Sequence, residues 1–316
     1  MHFMPHNLTL RPYQSEDDFW RMRRFLREVF LLDSRRSLSW PVTRLDYWRW
    51  HGILNLGDGT LENDVFLWET SEGEIAAFLN RESAGQAYLQ VHPAYKTAPL
   101  EAEMIAVAEE RLKTAGQGSG AELTVWCHSD DTQRQALLAK RGYAQNTDRV
   151  DIAWRRDLRL PIPQPQPPPG YSLRHLGEAG ELQERVWASW MAFHGDEPDE
   201  RYDPDRSWYL NLQSAPLYRR DLDLVAIAPS GEIAAFITIW YDDATRMGYY
   251  EPVGTVPQHQ RRGLARALSY EGMHRLKQRG ADLAVVGGES EAANALYRSV
   301  FGPDCDVRLA WEKRFP

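Results

Sequence analysis

Val253-Gly254-Thr255-Val256-Pro257-Gln258-His259-Gln260-Arg261-Arg262-Gly263-Leu264-Ala265-Arg266-Ala267-Leu268 reads as a strand that passes through a short turn directly into a helix. Small residues at 263 and 265 let a ligand approach the backbone, where a helix start offers unpaired N–H groups and the positive end of its dipole. In physical terms this is a cradle for a pyrophosphate. Arg261, Arg262 and Arg266 add a local positive cluster that suits a ligand with several phosphates. Pro252 and Pro257 cannot donate to a sheet ladder, and Gly254 marks a bulge or a close backbone approach. The strand 249–256 should therefore splay from its parallel neighbour Leu283–Val286 and leave a gap between them.

Outward from this stretch, the chain repeats itself. Leu8-Thr9-Leu10-Arg11 is echoed by Tyr171-Ser172-Leu173-Arg174, Gly73 to Phe78 recurs unchanged as Gly231 to Phe236, and Ala121 to Val125 matches Ala281 to Val285. The matched positions (10 and 173, 73 and 231, 121 and 281) lie 163, 158 and 160 residues apart, in the same order, so the halves keep register. Each copy reads as a mixed α/β unit, with a meander of strands first and a β-α-β-α segment after it. Between them, Pro161-Ile162-Pro163-Gln164-Pro165-Gln166-Pro167-Pro168-Pro169-Gly170 favours an extended polyproline conformation and reads as a semi-rigid spacer. The expected organisation is a domain over 1–160, a linker over 161–170 and a domain over 171–316.

Composition sets the frame. A chain of 316 residues is about twice the usual single domain, which agrees with a duplication. A hydrophobic fraction of 43% with 26% charged residues is that of a globular protein. No apolar run approaches the ~20 residues of a membrane span, and the start Met1-His2-Phe3-Met4-Pro5 lacks a basic-then-apolar leader, so a cytoplasmic protein without a membrane partner is expected. Two cysteines, Cys127 and Cys305, give neither a disulfide framework nor a cysteine-rich zinc site, and the histidines show no metal-ligand spacing. A net charge of −8 argues against a nucleic-acid partner while leaving room for a local basic pocket. The arginine runs Arg21–Arg27 and Arg155–Arg159 read as solvated faces.

The stretch Gln260-Arg261-Arg262-Gly263-Leu264-Ala265 resembles motif A of the GNAT superfamily of N-acetyltransferases, whose signature is Gln/Arg-x-x-Gly-x-Gly/Ala. Asn294-Ala295-Leu296-Tyr297 resembles the family's motif B, and the order of elements is the family's order. The likeness covers 171–316 by motif and 1–160 at the level of fold, so the implied architecture is two tandem acyl-CoA N-acyltransferase domains, as in the duplicated members that include the mycothiol synthases. One departure is Phe301-Gly302, where the family usually has Gly-Phe.

The resemblance implies acetyl-CoA as co-substrate, with no metal. Its pyrophosphate would lie on the amides from Arg261 to Ala265, its pantetheine arm along the strand 249–256, and Val253, Thr255, Val256, Gln260, Arg266 and Asn294 are further candidate cofactor contacts. Tyr297 would protonate the departing thiolate, and backbone N–H groups near Val253 to Thr255 would meet the thioester oxygen. Glu251 is the candidate base. It shares strand parity with Tyr249, Val253 and Thr255, so the four side chains point to one face unless a bulge changes the phase.

The acceptor is expected to be a small-molecule amine. Trp190, Trp208 and Tyr249 are candidate substrate contacts; Trp187, Phe193, His194, Tyr209 and Tyr218 lie around the two tryptophans, among Asp196, Glu197, Asp199, Glu200, Asp203 and Asp205. Aromatic faces and carboxylates suit an ammonium group, although the same aromatics could instead pack the two copies together. In the first copy, Lys96, Pro99 and Glu101 stand where Gln260, Gly263 and Ala265 stand in the second, and Leu138 stands at Tyr297. Proline removes a donor and a carboxylate repels phosphate, so the first copy should neither bind CoA nor catalyse. A monomer suffices for this reading. Two alternatives stay open: a non-catalytic acyl-CoA-binding module, and an aminoacyl transferase of the duplicated fold that uses charged tRNA.

Overall fold

The computed structural model describes residues 7–57, 59–116 and 120–316, leaving aside the side chains of 179 and 199. The start Met1–Pro5 and the Asp199 side chain, both used above, lie outside the described residues. The chain divides into two compact units, Met1–Asp151 with Asp306–Pro316, and Ile152–Cys305. These bounds differ from the expected 1–160 and 171–316 at two places. Residues 152–160 belong with the second unit and 306–316 with the first.

The first unit contains β1 (Thr9–Pro12), α1 (Glu16–Leu32), α2 (Val42–Tyr47), a π-helical turn over Trp48–Ile53, and the short α3 (Leu54–Leu56) and α4 (Leu61–Asp64). Then follow β2 (Val65–Glu69), β3 (Ile75–Arg81), β4 (Gln86–Val91), α5 (Ala98–Arg111), β5 (Thr114–Ala115), β6 (Ala121–His128), α6 (Thr132–Lys140) and the first part of β7 (Ala144–Asp157). β1 to β4 form an antiparallel meander, and β4 runs parallel to β6. On its far edge β6 pairs with the strand 305–315, from Arg308↔His128 to Phe315↔Ala121. Leu79, Leu89, Met104, Ile105, Val125, Leu138 and Trp311 fill the core beneath α5 and α6.

The second unit opens on the end of β7 and continues with β8 (Ser172–His175), α7 (Leu182–Phe193), α8 (Ser207–Gln213), β9 (Asp223–Ile227), β10 (Ile233–Asp242), β11 (Met247–Thr255), α9 (Leu264–Gln278), β12 (Leu283–Gly288) and α10 (Glu291–Phe301). β13 (Cys305–Phe315) then supplies the first unit's strand beside β6. β8, β9, β10 and β11 are antiparallel, β11 and β12 are parallel, and β12 pairs antiparallel with Ile152–Asp157 of β7. Ile237, Ile239, Tyr250, Leu264, Leu268, Met273 and Val286 make the core under α9 and α10. The expected meander and β-α-β-α order is present in both units. The structure adds an exchange: each half of the chain contributes its last strand to the other half's unit.

The proline-rich segment is not a spacer between the units. Pro161 accepts from Arg156 at 2.7 Å, Pro163 accepts from His274 at 3.0 Å, and Ile162 packs against the second core. The arginine runs are not wholly solvated either. Arg23 is buried in a two-pronged pair with Asp46, and Arg155 is buried beside Asp304, whereas Arg159 is exposed. Apolar neighbours on α1 and β7 carried those side chains inward, and a charge run viewed alone does not reveal that.

Candidate active site

β11 is paired along one edge and only half-paired along the other. With β10 it runs from Asp242↔Met247 to Ala235↔Thr255, but with β12 only from Met247↔Leu283 to Tyr250↔Val286. Beyond Tyr250 the facing edge meets no ladder from β12, which continues to Gly288 paired with β7. The β10 register slips between Ile237 and Ile239, so Glu251 and Pro252 together oppose the single residue Thr238. This is a β-bulge, and it re-aims every side chain after it.

The bulge corrects the expected common face. Gly254 lies under the Phe236 ring, where a Cβ would meet Cζ at 2.2 Å, and Phe236 in turn lies 3.6 Å from the Arg185 guanidinium of α7. Val253, paired with Ile237, packs into the core under α9. Tyr249 pairs with Trp240, whose ring meets Tyr218 on the α7 and α8 side. Val253 and Thr255 are therefore turned away from the face that Tyr249 occupies. The Trp240 indole N–H donates to the Glu251 carbonyl at 2.5 Å and ties down the bulge.

After Thr255 comes a 3-10 turn over Pro257–His259, closed by buried Val256 and by Gln260 Nε2 donating to the Thr255 carbonyl. Arg261 (φ +59) and Gly263 (φ +81) are left-handed, and α9 begins after Gly263 with no side-chain cap. Among the described residues, the backbone N–H groups of 261–266 meet no acceptor. Arg261, Arg262, Gly263 and Arg266 are exposed, Ala265 is half-buried and Leu264 is buried as the anchor. Alternating left-handed residues that lead into an uncapped helix make an anion-binding concavity.

Tyr297 sits on α10 with its ring packed edge-on against Phe301. Burial pushes its phenol well above the ordinary tyrosine value, and the negative charges of Glu251 and Glu289 add to the shift. The two expected catalytic residues, which are far apart in sequence, thus lie within electrostatic reach of each other. Asn294 is engaged internally. Its Oδ1 accepts from Trp154 Nε1 at 2.8 Å and its Nδ2 donates to the Gly288 carbonyl at 3.1 Å. Gly302 ends α10, so the inverted Phe301-Gly302 still terminates the helix while Phe301 fills the core.

The acceptor candidates lie among other aromatic rings. Trp190 stacks on His194 at 4.6 Å and lies 6.0 Å from Tyr202, while Trp187 meets Tyr202 edge-on. Trp208 packs edge-on against Tyr209. These rings pack against neighbouring aromatic side chains within the second unit. Sequence reasoning missed the buried polar group beside them. Asp223 accepts from Tyr209 (2.5 Å), Tyr218 (2.8 Å) and Thr238 (3.3 Å), and Arg185 lies 4.0 Å away. Burial raises the Asp223 carboxyl in spite of Arg185 and the two phenols. An arginine on a buried helix face carries no periodic signal, so only its contacts reveal it.

Among the described residues no helix is long and apolar enough to cross a membrane, and no cluster of His, Cys, Asp and Glu could hold a metal. The profile of the Acetyltransferase (GNAT) family matches residues 181–302, which enclose the bulge, the cradle and Tyr297. Mycothiol acetyltransferase of Salinispora arenicola is 26% identical over 263 residues, 78% of this chain and 80% of its own. The mycothiol acetyltransferase of Thermobispora bispora is 27% identical over 253 residues, 75% and 78% of the two chains. Among solved structures, a GCN5-related N-acetyltransferase from Sphaerobacter thermophilus aligns over 99% of this chain and 98% of its own (TM-score 0.65, 21% identity). A tandem GNAT protein from the clavulanic acid biosynthesis pathway aligns over 98% of both chains (TM-score 0.62, 14% identity). Residues 181–302 thus match the GNAT acetyltransferase family, and the chain over most of its length is similar to mycothiol acetyltransferases and shares the fold of tandem GNAT proteins.

Proposed function

We propose that the second unit transfers the acetyl group of acetyl-CoA to a primary amine of a small molecule by direct attack. The observation that carries this is the sequence of features along one strand: a bulge at Glu251, an unpaired edge after it, and an open helix start at its end. The free N–H groups of 261–266 and the exposed Arg261, Arg262 and Arg266 fit a pyrophosphate. The edge of β11 beyond Tyr250, which the β12 ladder does not reach, fits a pantetheine arm, which carries amides of its own. Bound there, acetyl-CoA supplies an activated acyl group. A backbone N–H beside the bulge would donate to the carbonyl oxygen, Glu251 would take a proton from the attacking amine directly or through water, and Tyr297 would deliver one to sulfur. An N–C bond forms as the C–S bond breaks, and the net proton movement is from nitrogen to sulfur. Relatives named mycothiol acetyltransferase support a small molecule rather than a macromolecule as acceptor.

The first unit takes no part in binding the donor, because its own side chains fill the equivalent groove. Arg134 of α6 donates to the Leu89 carbonyl at 3.3 Å, on the part of β4 that has passed its last pair with β6. It also pairs with Glu101 at 2.6 Å, and Lys96 pairs with Asp131 at 2.7 Å. Burial would raise the Asp131 carboxyl, but Arg134 and Lys96 outweigh it and hold it below the usual range. Thr97 caps α5 by accepting from the Leu100 N–H, so that helix start is not open as α9 is. A thiol-release assay with acetyl-CoA and a panel of small amines tests the whole reading. Release above the level of a Gly263→Asp control is expected, and its absence with every amine would reject the assignment.

A further inference from the structure

We infer that Trp154 is a positioning residue for Tyr297 and acts through Asn294; this rests on the reading of Tyr297 as the acid. Trp154 lies on the part of β7 that pairs with β12, opposite Val286, and its ring is buried in the second core. Its indole N–H donates to Asn294 Oδ1, and Asn294 Nδ2 donates to the carbonyl of Gly288, the last residue of β12. The Asn294 amide thus bridges two strands at the point where α10 begins.

Asn294 and Tyr297 are three residues apart and share one face of α10. Both press on the same spot. A Cβ on Gly288 would lie 2.2 Å from Asn294 Oδ1 and 3.3 Å from Tyr297 Cδ2. The amide therefore fixes the rotation and height of α10 against the end of β12, and with it the position of the phenol. The other end of this stretch is secured separately, by Ser290 accepting from the Ala293 N–H, and that cap does not set the helix's rotation about its axis. Without the indole donor the amide loses the partner that orients it, and the phenol shifts relative to Glu251. Misplacement by about 1 Å at a reacting group costs about 100-fold in rate.

The test uses the full chain with Trp154→Phe, Asn294→Ala and the double variant, alongside replacement of Trp154 by its benzothienyl isostere, which keeps the shape and removes the N–H. Each single change is expected to lower kcat by about 10- to 100-fold, and in the Trp154 variants the acetyl-CoA dissociation constant should stay within about twofold. The double variant should be no slower than the slower single, because both act on one contact. The isostere keeps the question open to measurement if the Phe variant does not fold. Wild-type kcat in the isostere, or losses that multiply in the double variant, would overturn the role of Trp154. Full turnover in Tyr297→Phe would instead remove the reading of Tyr297, and the two failures are distinct.

Discussion

A phenol that must give up a proton needs to hold one at the working pH. Burial, with Glu251 and Glu289 adding, raises the Tyr297 pKa, so the acid form persists as pH rises. The kcat profile should therefore show no fall from a tyrosine below about pH 10, the ordinary value for the group. Tyr297→Phe should cut kcat by about 100-fold or more and leave acetyl-CoA affinity unchanged by calorimetry. A chain that only binds acyl-CoA would show no turnover in the parent either. At the cradle, open space surrounds the point where a Cβ on Gly263 would stand, but φ there is +81, so Gly263→Asp meets backbone strain of about 1 kcal/mol and no clash. The variant should fold, with nearly unchanged melting, and lose acetyl-CoA binding because a carboxylate faces the phosphates. Tyr297 and the stretch 260–266 could be singled out as candidates because they lie in short motifs, and the structure shows the open helix start there. Asn294 was legible as a position but not as an internal clamp, since its partner Trp154 is 140 residues away.

Among the elements, the meanders and the strand-turn-helix units could be read from periodicity and turn residues. The destinations of β7 and β13 could not. Both segments have strand composition, but nothing local states which sheet a strand joins. The bulge is an intermediate case: proline and glycine at 252 and 254 flag an irregularity, while the resulting change of face at Val253 emerges only from the β10 register. The exchange leads to a direct test. A fragment covering 171–316, cut at the apparent linker, lacks the strand that pairs with β12 and the indole that holds Asn294. A fragment covering 152–305 retains both. Thermal melts followed by circular dichroism should show a cooperative transition for the second fragment and none for the first. Cooperative melting of 171–316 at the same temperature would show that Ile152–Asp157 adds little.

For the whole molecule, the proposal that only the second unit binds the donor makes a stoichiometric prediction. Calorimetry should give one acetyl-CoA per chain, since Arg134, Glu101, Asp131 and Lys96 already occupy the first unit's groove with paired charges. Two molecules per chain would refute that assignment. The repeat was visible in the sequence, and Pro99 and Glu101 motivated the proposed asymmetry, but the contacts of Arg134 with Leu89 and Glu101 were not legible, because they depend on a side chain from a different helix. The net charge of −8 proved less informative than its distribution: three exposed arginines, at 261, 262 and 266, stand at the uncapped start of α9.

The exchanged strands also constrain how the protein is made. During synthesis an N-terminal domain commonly folds as soon as it clears the ribosome. Here the first unit lacks the strand beside β6 until residues 306–316 have emerged, after the whole of 152–305 has been translated. The exposed edge of β6 must wait unpaired through that interval, so in the order of assembly the second unit matures first and the first unit is completed last.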